Sequence, residues 1–214
     1  MSSSFEVFNE LFRRYDEWYL RMRNLWVSEC LCLKLLSTHG YVLDVGVGTG
    51  VFSNCLGSDY LVGIDLAHNP LRIARLRGVE ALASDAEYLP FREGSFDYVV
   101  MVATICFLKN PLKVLREVRR VVRGGGYLVM CFIPKDSDWG RYYTLLKLRG
   151  ESPFYRVAKF FSVGEVINLL IKAGFTPVDY ASTLNSLPNN PPVTELPSRS
   201  LGPGSFVCIK AVTK

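Results

Sequence analysis

The sequence predicts an α/β fold, a doubly wound and mostly parallel sheet with helices on both faces. Three observations predict it. Apolar runs of strand length alternate with amphipathic, helix-like segments along most of the chain. A glycine turn, "VLDVGVGTG" at 42–50, closes the first apolar run. The run "SFDYVVMVAT" at 95–104 is continuously apolar, as a strand covered on both faces should be.

Each element can be justified in order. Phe8, Leu11, Phe12, Tyr15, Tyr19 and Met22 recur at spacings of three and four, which makes an amphipathic N-terminal helix. A second helix runs from about Leu25 to Leu36, and His39-Gly40 ends it. A strand at 41–45 leads into the glycine turn and a short helix from about Gly50. "YLVGID" (60–65) is the next strand. Pro70 suits the first turn of the helix that Gly78 closes. "VEALASD" (79–85) reads as a strand ending at Asp85. "PLKVLREVRRVVRGGG" (111–126) starts with proline and ends in glycines, as a helix does, and "GYLVMCFIP" (126–134) is the fifth strand. Ser162 and Glu165 have capping-box spacing before the helix "VINLLIKAG". "FTPVDYAST" and "GSFVCIKAV" read as two closing strands, joined by a long proline- and asparagine-rich connection at 184–203.

Length and composition bound the rest. At 214 residues and 49% hydrophobic content, the chain suits one domain. A net charge of +5 is compatible with an anionic partner, but no basic tract dominates. Arg119, Arg120 and Arg123 read as a solvated helix face. The N-terminus lacks the pattern of a signal peptide, and no apolar run is long enough to span a bilayer. Six cysteines without an export signal suggest a reducing compartment, hence a cytoplasmic protein with most cysteines as buried thiols. With two histidines and no C-x-x-C pair, no metal site is expected.

The glycine turn carries the chemistry. Ligands of open α/β sheets bind beyond the carboxyl ends of the strands. Gly46, Gly48 and Gly50 follow G-x-G-x-G spacing, whereas a dinucleotide site favours G-x-G-x-x-G. Asp44 precedes them by two residues. A carboxylate there repels a pyrophosphate and attracts an ammonium group. A ligand with both a cation and an anion is expected, as in the methionine part of S-adenosylmethionine. A helix N-terminus after the turn would favour the anionic part. Asp65 ends the second strand, where an acid can accept from ribose hydroxyls. Asp85 is placed to accept from the adenine amine.

The segments "VLDVGVGTGVFS", "GIDLAHNPLRIAR", "SDAEYLPFREGSFDYVVM", "PLKVLREVRRVVRGGGYLVM" and "FFSVGEVINLLIKAGF" occur in the order of class I S-adenosylmethionine-dependent methyltransferases. The chain resembles that family over roughly residues 41–180, especially its small-molecule group, which includes the ubiquinone/menaquinone C-methyltransferases. The resemblance implies a Rossmann-like, seven-stranded sheet with a reversed final β-hairpin. It implies S-adenosyl-L-methionine as cofactor and S-adenosyl-L-homocysteine as product. Asp44 and the Gly46–Gly50 backbone would hold the methionine part, and Asp65 the ribose. Leu66 would lie beside the adenine, with Asp85 and Ala86 reading it. Val102 to Ile105 would line the sulfonium side. Related enzymes cover the cofactor with an N-terminal helix, a role for Tyr15 and Trp18 here.

One domain, 1–214, would then comprise a helical lid (1–38), a cofactor half (41–133) and an acceptor-side insert with the closing hairpin (134–214). The aromatic and basic insert "KDSDWGRYYTLLKLRGESPFYRVAKF" belongs with the acceptor pocket. The absence of an N-P-P-Y-like motif and of a proline–cysteine pair argues against adenine, glutamine and RNA cytosine acceptors and favours a small organic acceptor over nucleic acid, while the basic charge keeps RNA and protein acceptors open and a catalytically silent S-adenosylmethionine-binding partner is the alternative. No catalytic residue announces itself. Tyr15, Tyr19, Cys106 and Tyr142 are candidates for a general base.

Overall fold

Ser3 starts the first helix. Its hydroxyl accepts the Glu6 amide while the Glu6 carboxylate accepts the Ser3 amide, a reciprocal cap. Helix α1 (Ser4–Arg21) passes through Met22 into α2 (Arg23–Leu36). The computed structural model describes residues 3–37, 39–190 and 193–213. The elements that follow are β1 (Tyr41–Val45), β2 (Tyr60–Asp65), α3 (His68–Leu76), β3 (Glu80–Ala83), β4 (Phe96–Val102) and α4 (Pro111–Val121). Then come β5 (Val122–Phe132), α5 (Asp138–Leu148), α6 (Pro153–Val157), α7 (Val163–Lys172), β6 (Phe175–Thr183) and β7 (Phe206–Thr213).

The strands form one seven-stranded sheet in the order β3-β2-β1-β4-β5-β7-β6. Strands β1 to β5 pair in parallel. Strand β7 runs antiparallel to both β5 and β6, the reversed final hairpin. The order switches at β1, with β2 on one side and β4 on the other, and that places a crevice beyond Val45.

Alternate strand residues face opposite layers. Leu43, Val99 and Leu128 pack against Val114 and Val118 of α4 and Leu170 of α7. Val42, Val100 and Val129 pack against Leu25, Leu33 and Leu36 of α2. Helix α2 is therefore part of the core, and within 1–38 only α1 lies in a position to cover anything.

Several local expectations are corrected. No α-helix follows the glycine turn. Only a single 3₁₀ turn forms at Ser53–Cys55, because Gly57 interrupts the segment before a helix can propagate. The helix N-terminus expected to face an anion is thus missing. Strand β3 ends at Ala83, two residues before Asp85. The segment 122–126 is strand, not helix: a Cβ on Gly126 would lie 2.5 Å from the Asp97 carbonyl oxygen of β4, so bare backbone is required there. The three arginines brace the fold as well as meeting solvent, with Arg119 and Arg123 exposed. Arg119 donates to the Gly174 carbonyl, Arg120 to Leu89, Phe91 and Glu117, and Arg123 pairs with Asp97.

The cysteines also differ from expectation. Disulfides join Cys30 to Cys55 and Cys131 to Cys208, leaving Cys32 and Cys106 as thiols. The pairing was invisible in sequence because each pair meets only through the fold, and it removes the argument for a reducing compartment. No helix among the described residues is long and apolar enough to cross a membrane.

The described residues of the 184–203 connection are fastened down, with 191 and 192 lying outside the described residues. Glu195 accepts the amides of Asn185 and Ser186, and its own amide donates to Ser28 of α2.

Candidate active site

The crevice holds a cavity of about 420 Å³. Asp44, Gly46 and Gly48 wall it from the end of β1, Asp65 and Leu66 from β2, Asp85 and Ala86 from the segment after β3, and Val102 from β4. Tyr15 reaches it from α1. Gly50, the remaining residue proposed from sequence, stands apart. Its Cβ direction points at Ala74 of α3, 3.2 Å away, so it lets the turn sit against that helix. The G-x-G-x-G pattern therefore serves two purposes. Gly46 (φ +81°) and Gly48 (φ +52°) adopt left-handed backbone at the cavity, and Gly50 (φ +73°) does so for packing.

Gly46 is further constrained, since a Cβ there would lie 2.4 Å from the Thr104 side chain. The turn is fixed from the neighbouring strand. Asp65 Oδ2 accepts the Gly48 amide at 2.9 Å, and Asp65 Oδ1 accepts the Ala67 amide at 2.8 Å.

Asp44 is the unusual member. It is only 4% exposed and accepts no hydrogen bond from the described residues. Burial, aided by the nearby Asp65 charge, pushes its carboxyl up to about 7. A buried carboxylate without a partner is costly, and a ligand cation would satisfy it. Bare backbone at Gly46–Gly48 and this orphan acid fit the zwitterionic end of S-adenosylmethionine. Asp65 and the polar Ser84–Asp85 segment fit its nucleoside end.

Helix α1 roofs the cavity. Phe5, Phe8, Phe12 and Tyr15, one helical face, line it. The helix is clamped by Asp16, whose two carboxylate oxygens each accept from the Arg77 guanidinium at 2.7 Å, one of them also taking the Thr49 hydroxyl at 2.6 Å. Asn9 accepts two hydrogen bonds from Asn69, at its side-chain oxygen from the Asn69 amide and at its carbonyl from the Asn69 side-chain nitrogen.

A second cavity of about 330 Å³ lies beside the first. Tyr15, Ala103 and Phe107 line both. Ala103 holds φ +52°, uncommon for a residue with a side chain, at the partition between them. The second cavity is aromatic. Trp18 and Tyr19 come from α1, Trp139, Tyr142 and Tyr143 from α5, and Tyr155 from α6. Of the general-base candidates, Cys106 is poorly suited, because burial pushes its thiol up to about 12 and its Sγ donates to the Ala103 carbonyl. Burial also raises Tyr15 and Tyr19.

Sequence reasoning passed over Glu29. It is 3% exposed on α2, lines the second cavity, and its Oε2 has no hydrogen-bond partner. Burial raises its carboxyl to about 8, although a hydrogen bond from Tyr19 opposes the shift. A signal did exist. Leu25, Glu29, Leu33 and Leu36 share one helical stripe, so a charge sits in phase with the core.

These acids set a pH dependence. Glu29 and Asp44 have folded values above their ordinary 4.5 and 3.8. Each therefore contributes its full stability below the ordinary value and loses it as pH rises through the folded value. Their contribution to the unfolding free energy of the ligand-free protein is expected to fall between about pH 4 and pH 8, by at most ~1.4 kcal/mol per pH unit for each group. Glu29→Gln should flatten that slope in urea titrations across this range, and parallel slopes for both proteins would refute the assignment.

Known proteins give the same picture. Residues 43–130 match a family described as "Methyltransferase domain". An uncharacterized protein of Methanocaldococcus jannaschii is 31% identical over 205 residues, covering 96% of this chain and 98% of its own. A malonyl-[acyl-carrier protein] O-methyltransferase of Geobacter sulfurreducens is 33% identical over 150 residues, 64% of this chain and 56% of that protein. The crystal structure of an S-adenosylmethionine-dependent methyltransferase of Thermotoga maritima, a possible histamine N-methyltransferase, superposes with TM-score 0.92 at 34% identity, covering 99% of this chain and 100% of that one. With the sheet order, the reversed hairpin and the glycine turn already in place, the chain belongs to the S-adenosylmethionine-dependent methyltransferases.

Proposed function

We propose that S-adenosylmethionine occupies the cavity at the glycine turn and that a small organic acceptor occupies the aromatic cavity beside it. The observation that carries this reading is Asp44, a buried carboxylate in the wall of the first cavity without a hydrogen-bond partner among the described residues. When bound, the cofactor supplies a methyl group activated on a sulfonium. The chain's own residues bind, orient and exclude water. Asp44 takes the ammonium, the Gly46–Gly48 backbone gives room for close approach, and Asp65 takes the ribose while fixing the turn. Leu66, Asp85 and Ala86 hold the adenine end. Val102, Ala103 and Thr104 form the side toward the acceptor, and α1 closes the roof. The aromatic lining of the second cavity favours a compact apolar-bodied acceptor over a polymer.

Asp44→Asn keeps shape and removes charge. It is expected to weaken S-adenosylmethionine and S-adenosylhomocysteine by about ten- to a hundredfold in calorimetry, since both carry the ammonium. Methylthioadenosine, which lacks it, should lose much less. Equal losses for all three ligands would show that the substitution acts through the fold, and the reading would fail.

A further inference from the structure

The second cavity holds one ionisable group that its surroundings do not explain. Glu29 sits at 3% exposure with Oε2 unpaired, and no lysine, arginine or histidine among the described residues pairs with it. The groups that face it are neutral: Tyr19 hydrogen-bonds it, and Tyr15, Tyr143, Tyr155 and the Cys32 thiol feel its charge. The cationic side chains on this cavity, Arg14 and Arg21, are exposed, where water screens them. A buried carboxylate kept among aromatic rings is costly unless a cation meets it.

The rings supply a second reason for a cation. Tyr143 and Tyr155 stack at 4.2 Å between centroids, and Trp139 stands edge-on to Tyr143 at 5.7 Å. Trp18 and Tyr19 form another edge-on pair at 4.8 Å. Aromatic faces attract an ammonium, and an ammonium beside Glu29 holds its carboxyl ionised against the upward push of burial, whereas an anionic oxygen nucleophile finds no partner there.

We propose that Glu29 selects an organic amine as the occupant of this cavity. The proposal rests on the reading that the cavity receives the methyl acceptor. Methylation of an amine forms one N–C bond and breaks the donor's S–C bond. An ammonium has no free electron pair, so the bound amine first gives one N–H proton to the Glu29 carboxylate; the freed pair then takes the methyl group and positive charge passes from sulfur to nitrogen. The same carboxylate thus serves binding and transfer.

Calorimetry on the protein loaded with S-adenosylhomocysteine tests this with three probes of one shape: phenethylamine, phenethyl alcohol and phenylacetate. The amine should bind at least about tenfold tighter than the alcohol, and phenylacetate should bind weakest. Glu29→Gln should erase the amine's advantage and leave the affinities for the alcohol and for S-adenosylhomocysteine unchanged. The ranking in the unsubstituted protein stands as a test even if the variant does not fold. Equal binding of amine and alcohol, or an amine preference that survives Glu29→Gln, would overturn the proposal. Normal uptake of S-adenosylhomocysteine with no amine preference sinks this inference alone. Failure to take up S-adenosylhomocysteine at all would overturn the underlying reading and the inference with it.

Discussion

Gly48→Asn is expected to reduce binding of S-adenosylhomocysteine by at least about a hundredfold while the protein stays folded. Gly48 has φ +52°, a left-handed conformation that asparagine tolerates better than other residues with a side chain. Nothing in the protein lies within 4 Å of where its Cβ would stand, so the new side chain meets open cavity and no protein atom. Its amide would still donate to Asp65. The loss therefore reports on the ligand, and the melting temperature should move by only a few degrees. Gly50→Ala should do the opposite, because its Cβ meets Ala74 and Val79 away from the cavity. It should lower the melting temperature and spare affinity in whatever remains folded. Calorimetry paired with thermal melts separates the two, and tight binding by Gly48→Asn would show that the turn does not touch the cofactor.

Reduction of the disulfides is expected to lower the melting temperature by more than about 10 °C. The two bridges close separate loops, with sequence separations of 25 and 77. The chain-entropy estimate gives ~3.5 and ~4.5 kcal/mol for loops of these lengths. The Cys30–Cys55 bridge ties α2 to the segment after the glycine turn, which Trp26 also holds through its indole nitrogen and the Val51 carbonyl. Its loss should loosen the cofactor wall as well as the fold. Melts with and without dithiothreitol measure the effect. An unchanged midpoint, together with six thiols titrating in the protein unfolded without reductant, would show that neither bridge exists.

What sequence could reveal was local. Asp44, Gly46 and Gly48 sit within five residues, and Asp65 ends the next strand, so their convergence follows from strand order alone. The sheet was legible because strands and helices announce themselves by period. Glu29 was passed over because α2 is buried against β6 and β7, strands more than a hundred positions away. The disulfide partners and the bracing roles of Arg119 and Arg120 were hidden for the same reason. The missing helix after Gly50 is a different case, a segment too short to propagate a turn that its composition allowed.

Helix α1 has a kinetic consequence. Its Phe5–Phe8–Phe12–Tyr15 face roofs the first cavity, and the same Tyr15, with Trp18 and Tyr19, forms a wall of the second. The second cavity is complete only when this helix is docked. A docked helix obstructs entry to the cavity beneath it. Addition should then be ordered, with the donor arriving first and the acceptor second, and the demethylated donor leaving last. Under such an order S-adenosylhomocysteine competes with S-adenosylmethionine alone, and excess acceptor cannot displace it. Turnover would be limited by the undocking of one helix, held by Asp16 to Arg77 and Thr49.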